Sequence, residues 1–190
     1  NFIDQNPSFY KDKIWYYKIE NDKKLIKHPL GFSLMLSPFF AVGHLSAKLT
    51  NAPLDGYSWP YQNAITIGVW IYLFIGLWYL RKHLLNYFSE KIVAITLLAI
   101  VLATNLFWYS SFESIMPHTV SFSLFCISNY YFFQWLNTSS KKQLFIFAIC
   151  FALSVLIRPL AVSILLYFVI AAISYKNGIK PFLLFFKSNL

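Results

Sequence analysis

Residues 144–174 read LFIFAICFALSVLIRPLAVSILLYFVIAAIS, and only Arg158-Pro159 interrupts this apolar stretch. As one straight helix it would extend about 46 Å, against a bilayer hydrocarbon core of about 30 Å. Proline disfavours helical geometry at the residue before it. The stretch therefore divides into two shorter helices, about 144–157 and 160–174, that meet at the Arg-Pro pair. Three further apolar runs precede it, at about 63–80, 91–109 and 117–136. Basic clusters follow the first, third and fifth of these runs: Arg81-Lys82-His83, Lys141-Lys142, and Lys176 with Lys180. If every run crosses a membrane, the clusters share one face. Reading 144–174 as one span would set Lys176 and Lys180 opposite Lys141. Short cytoplasmic loops are rich in Lys and Arg, so the clusters are expected inside, with Asn1–Gln62, Ser110–Pro117 and Arg158 outside. The lysines of residues 1–28 then lie outside as well; long segments translocate largely regardless of charge.

Composition agrees with lipid contact. Hydrophobic residues make up 58% of the chain and charged residues 12%, where a soluble domain carries about 25% charge. The net charge of +9 sits largely in loops and forms no basic face interleaved with exposed aromatics, which excludes a nucleic-acid partner as the reading. Aromatic residues such as Trp59, Trp78, Trp108 and Trp135 flank the apolar runs, as rings at headgroup depth do. Cys126 and Cys150 lie within apolar runs without metal-ligand spacing and read as small packing residues. The chain opens on Asn1 in a polar stretch and stops soon after the apolar run Pro181–Phe186. An internal piece of a longer protein is the expectation.

The expected fold is all-α: a polytopic transmembrane helical bundle with an interfacial helix on its outer face. Residues 1–62 form an outer loop containing that helix, 63–174 form five membrane helices, and 175–190 form a cytoplasmic loop and the start of a further apolar segment. The interfacial helix falls in 29–49. Pro29, Gly31, Pro38, Gly43 and His44 interrupt its apolar character, and the uninterrupted stretch falls short of the ~20 residues of a spanning helix. A helix lying in the interface and kinked near Pro38 is expected.

Three groups of polar residues are candidates for chemistry. A guanidinium at Arg158, between two apolar runs, needs an anionic partner or water, and its planar fork suits phosphate; snorkelling to headgroups is the plainer alternative. The connection Ser110–Thr119 contains Glu113, placed to pair with Arg158 or act as a base. It also contains His118, at a helix start that favours anions, with Ser121 one turn on. An ordinary capped loop would look the same. Lys27 and His28 precede Pro29 and face either a phosphorylated substrate or lipid headgroups. No metal-ligand cluster, phosphate-binding glycine loop or nucleophile elbow is present in the sequence.

The segment Lys27–Ala47, KHPLGFSLMLSPFFAVGHLSA, resembles the K-x-P-x-G-x-x-x-x-x-x-P-F-F segment of bacterial GT-C glycosyltransferases, at Lys27, Pro29, Gly31, Pro38, Phe39 and Phe40. These enzymes are relatives of the dolichyl-phosphate-mannose protein mannosyltransferases and the lipid A aminoarabinose transferase. DGYSWPYQ before the first span, LLAIVLATNLFWYSSFESIMPHTVSF and the Arg158-Pro159 break are similar to the same group in order and spacing. The resemblance covers about 27–174.

It implies a multi-span enzyme of the bacterial inner membrane, with its basic loops cytoplasmic and its site at the outer face. Such an enzyme moves a sugar from a polyprenyl-phosphate carrier to a lipid, glycan or protein acceptor. The implied partners are membrane lipid and the lipid-linked sugar donor; no further cofactor is implied. A base takes the acceptor's hydroxyl proton, the oxygen attacks the anomeric carbon with inversion, and cations stabilise the departing phosphate. Arg158, His118 and Lys27 are the candidates for that last role, with Glu113 and His28 beside them. The family's catalytic base lies in the first outer loop, and no position here matches it. The catalytic residue is unassigned. Two other classes compete: a transporter or flippase, which calls for polar residues lining a path at mid-span, and a non-catalytic membrane subunit.

Overall fold

The computed structural model describes strands Tyr16–Lys18 and Lys24–Ile26 and residues 30–175. The strands, β1 and β2, pair antiparallel with Tyr17 opposite Leu25. The remaining regular structure is helical: α1 (Leu30–Leu49), α2 (Trp59–Leu84), α3 (Glu90–Leu102), α4 (Asn105–Ser111), α5 (His118–Thr138), α6 (Lys141–Ile157) and α7 (Ile164–Ser174), with a 3-10 turn at Pro159–Ser163.

Arg158 is extended, at φ −141° and ψ 107°, the geometry that a following proline favours. The chain then reverses. The rings of Phe168 in α7 and Phe147 in α6 lie 5.0 Å apart, whereas a straight helix would separate those residues by roughly 31 Å. The division of 144–174 at the Arg-Pro pair is thus present, and Arg158 lies at the tip of the hairpin.

The central helix is α5. It buries more residues than any other, from Thr119 to Leu136, because α2 covers one flank and α6 and α7 the other. Side-chain contacts give the directions. Thr66 meets Ser114, Ser123 donates to the Tyr72 carbonyl, Tyr79 meets Tyr131, and the His83 ring lies tilted against Phe133. So α2 and α5 run parallel, with α6 antiparallel to α5 and to the returning α7, which also packs on α5. Close approach is local and depends on small residues: a Cβ on Gly76 would lie 2.8 Å from the Cα of Ser123. Small residues at such crossings let backbones pack where lipid supplies no hydrophobic drive. One core cluster joins Phe32, Leu36, Val69, Val120, Leu124 and Ile157. A second, around Phe132, Trp135 and Phe168, lies toward the other end. The basic residues at the end of α2 and the start of α6 therefore stand at one end of the bundle, and Arg158 and His118 at the other.

The run 91–109, expected as one helix, is two: α3 and α4 meet at a 63° bend. Thr104 causes it. Its hydroxyl donates to the Ile100 carbonyl at 2.6 Å and accepts from Leu106 N at 3.2 Å. One side chain thereby closes α3 and caps α4.

The expected shortfall of apolar helix in 29–49 is corrected. α1 is a continuous helix of 20 residues. Pro38 has no N–H for the Leu34 carbonyl, and Ser37 Oγ donates to that carbonyl instead, at 2.8 Å, so the helix survives its proline. By length and composition α1 and α2 are able to cross a membrane, and the α3–α4 pair makes a third candidate if taken as one span. α5 has the length, at 21 residues, but carries Ser121, Ser123, Ser128, Asn129 and Gln134. α6 and α7 have 17 and 11 residues. The outward faces are apolar, with Ile67, Phe74 and Trp78 exposed on α2 and Leu166 and Ile170 on α7, which marks these helices for contact with membrane lipid.

Candidate functional site

Arg158 and His118 are brought together from residues 40 apart in sequence: Arg158 Nη1 lies 3.2 Å from His118 Nδ1. A guanidinium only donates, so Nδ1 is the acceptor. That assigns His118 as the neutral imidazole with its proton on Nε2. Tyr109 fixes the ring's plane, stacked at 4.0 Å between centroids and 14° between planes. Arg158 is exposed and His118 half-buried. The pair thus offers the remaining guanidinium N–H groups and one imidazole N–H, all donors, at an exposed end of the bundle. Such a set recognises an oxyanion.

The tip of the α6–α7 hairpin and the first residue of α5 supply these groups, and α1 buttresses them. Gly31 sits on the last turn of α6, where an added Cβ would lie 2.5 Å from the Leu156 carbonyl carbon. The 110–117 connection is tied down on α2: Trp70 Nε1 donates to the Ser110 carbonyl at 2.8 Å, and the hydroxyls of Thr66 and Ser114 are 3.0 Å apart.

Other expected members stand differently. Glu113 is exposed and forms no ion pair with Arg158 among the described residues, where the one salt bridge is Arg81 to Glu90. Its backbone closes a turn, with its carbonyl accepting from Met116 N at 2.9 Å. The expected Glu113–Arg158 pairing is replaced by His118–Arg158, because the turn at 112–117 leaves the carboxylate facing solvent. Ser121 Oγ is buried without a hydrogen-bond partner, as is Thr119 Oγ1. Lys27 and His28 lie outside the described residues. Among the described residues no three His, Cys, Asp or Glu side chains stand together as a metal site. Sequence reasoning missed Tyr109, which shares the connection with His118 but gives no signal that its ring will stack there. It also missed the Tyr61 hydroxyl, 2.6 Å from His44 Nδ1, which locks α1 to the start of α2.

Beyond the membrane-facing helices, the carboxylate of Asp55 accepts from Tyr57 N and Ser58 N, each at 2.8 Å. The Tyr57 amide above all holds its pKa below the usual carboxylate value; burial opposes it, and the Ser58 amide adds to the lowering. No family model, curated protein or solved structure matches this chain.

Proposed function

We propose that this chain is the membrane scaffold of a GT-C-type glycosyltransferase, and that Arg158 and His118 bind the phosphate of its polyprenyl-phosphate-sugar donor. The observation that carries the proposal is the Arg158 Nη1 to His118 Nδ1 contact at 3.2 Å, since an arginine whose partner is a neutral imidazole keeps its charge for an anion. The motif resemblance around Lys27–Phe40 supplies the sugar-carrier part of the reading. In the reaction, an acceptor oxygen attacks the anomeric carbon, the bond from that carbon to the phosphate oxygen breaks, and the electron pair leaves with the phosphate. Donors pointed at that oxygen stabilise it most as its charge develops. Nothing in the chain is assigned as base.

In this reading α2, the α3–α4 pair, α5, α6 and α7 make up the five membrane helices. The basic end is cytoplasmic, and α1 lies against the outer half of α2 as an interfacial helix. α1 runs antiparallel along that half of α2, meeting it from Tyr72 back to Pro60. The transporter reading gains no support from the polar groups of α5: among the described residues every buried polar side chain is uncharged. Asn129 Oδ1 accepts from the Tyr167 hydroxyl, and Ser123 Oγ donates to the Tyr72 carbonyl.

The test is Arg158→Lys in the full-length protein, read by glycolipid profile and by binding of polyprenyl phosphate against polyprenol. Losing a charge-assisted fork costs roughly ten- to hundredfold. Transfer should fall by that factor at normal expression, and the preference for the phosphate over the alcohol should shrink. Unchanged transfer and preference remove Arg158 from the site.

A further inference from the structure

At the end of the bundle opposite Arg158, α5 runs on past α2, and α7 ends beside it. α2 stops at Leu84 and the chain turns away, while α7 stops at Ser174. The space left against the last turns of α5 is a cavity of about 290 Å³. Tyr130, Phe133 and Tyr175 give it aromatic walls, and Asn86, Gln134 and Asn137 give it carboxamides. Ligand pockets begin at about 300 Å³, so it suits a headgroup rather than a nucleotide.

The carboxamides have defined spare valences. Tyr175 Oη donates to Asn137 Oδ1 at 2.7 Å, which leaves the Asn137 NH₂ group as donor. Asn86 Nδ2 is engaged with the carbonyls of Lys82 and His83 at 3.2 and 3.1 Å, which leaves its Oδ1 as acceptor. The Gln134 side chain has no hydrogen-bond partner among the described residues and offers both. Groups that both give and take hydrogen bonds are what hydroxyls need.

The rim is cationic. Lys82 Nζ lies 5.3, 5.6 and 6.0 Å from the ring centroids of Trp78, Tyr79 and Tyr130, so Tyr130 is common to the cavity wall and the lysine's seat. No carboxylate lines the cavity, and Glu90 nearby is paired with Arg81. An ammonium headgroup would find no counter-charge and would meet Lys82. Exposed Trp78, Tyr87 and Phe88 surround this end, as side chains do at headgroup depth.

We propose that the cavity binds the headgroup of an anionic glycerophospholipid ending in uncharged hydroxyls. The phosphodiester lies against Lys82, and the hydroxyls lie among Asn86, Gln134 and Asn137. This site is separate from the Arg158 end and does not depend on glycosyl transfer.

The probes are phosphatidylglycerol and phosphatidylserine, which carry the same net charge, so bulk attraction to a basic protein cancels. The full chain is purified in detergent and retained lipid is measured by native mass spectrometry. Phosphatidylglycerol should be retained in preference to phosphatidylserine. Gln134→Met should weaken that preference roughly tenfold without lowering the unfolding temperature, and Gln134→Leu serves if the first variant folds poorly. Lys82→Gln should weaken both lipids together. Equal retention of the two lipids, or an undiminished preference in both Gln134 variants, overturns the assignment. Competition by free glycerol phosphate at concentrations matching the lipid would overturn the lipid as its source.

Discussion

Gly31→Ala tests the seating of α1 on the Arg158 hairpin. The new methyl carbon would stand 2.5 Å from the Leu156 carbonyl carbon, 2.6 Å from Ile157 N and 2.7 Å from the Leu156 oxygen. Carbon atoms pack best at about 3.5–4.0 Å, so α1 has to withdraw by about 1 Å. Overpacking of this kind costs about 1–3 kcal/mol. Alanine returns at most about 1 kcal/mol of helix propensity, and less at the second residue of a helix, where the end frays. The expected net is a destabilisation of roughly 1–2 kcal/mol, measured by equilibrium unfolding in mixed micelles. Gly68→Ala provides the contrast, because its obstacle is the Phe39 ring, 2.4 Å from the added carbon. Phe39→Ala should relieve Gly68→Ala in a double-mutant cycle, whereas no side-chain deletion relieves Gly31→Ala, whose obstacle is backbone. A neutral or stabilising Gly31→Ala would refute the packing of α1 on the last turn of α6.

Two further outcomes are expected. Asp55 has a folded pKa below its ordinary 3.8, so its hold on the loop before α2 is complete above that value and is lost as pH falls through the folded value. Hydrogen exchange at the Tyr57 and Ser58 amides, corrected for intrinsic rate, should therefore quicken below about pH 4, and Asp55→Asn should remove that pH dependence. A cysteine at exposed Ser111 should react with an impermeant thiol reagent from outside intact cells, above the background of Cys126 and Cys150. Labelling that requires permeabilisation reverses the proposed orientation.

Much of the site's framework was legible because its causes are local. Pro159 dictates the extended backbone of Arg158, and two apolar runs too long for one span require the chain to turn there. Arg158 and His118 stand out as polar groups at the ends of apolar helices. Their contact was not legible, since it depends on how α5 and α6 align over 40 intervening residues. Glu113 looked the better partner on charge alone. The turn closed by Met116 N leaves it exposed and without an ion pair to Arg158, and the Tyr109 stack holds His118 in its place.

Sequence by itself determined the helical character and the fold-back at Arg158-Pro159, because proline geometry acts over a few residues; Lys176 and Lys180, the third expected basic cluster, lie outside the described residues. Tertiary structure alone decided the bend at Thr104, the rescue of α1 at Pro38 by Ser37, and the cavity at the basic end. Each of these turns on which carbonyl a hydroxyl reaches or where one helix stops beside another, and such outcomes belong to packing in three dimensions.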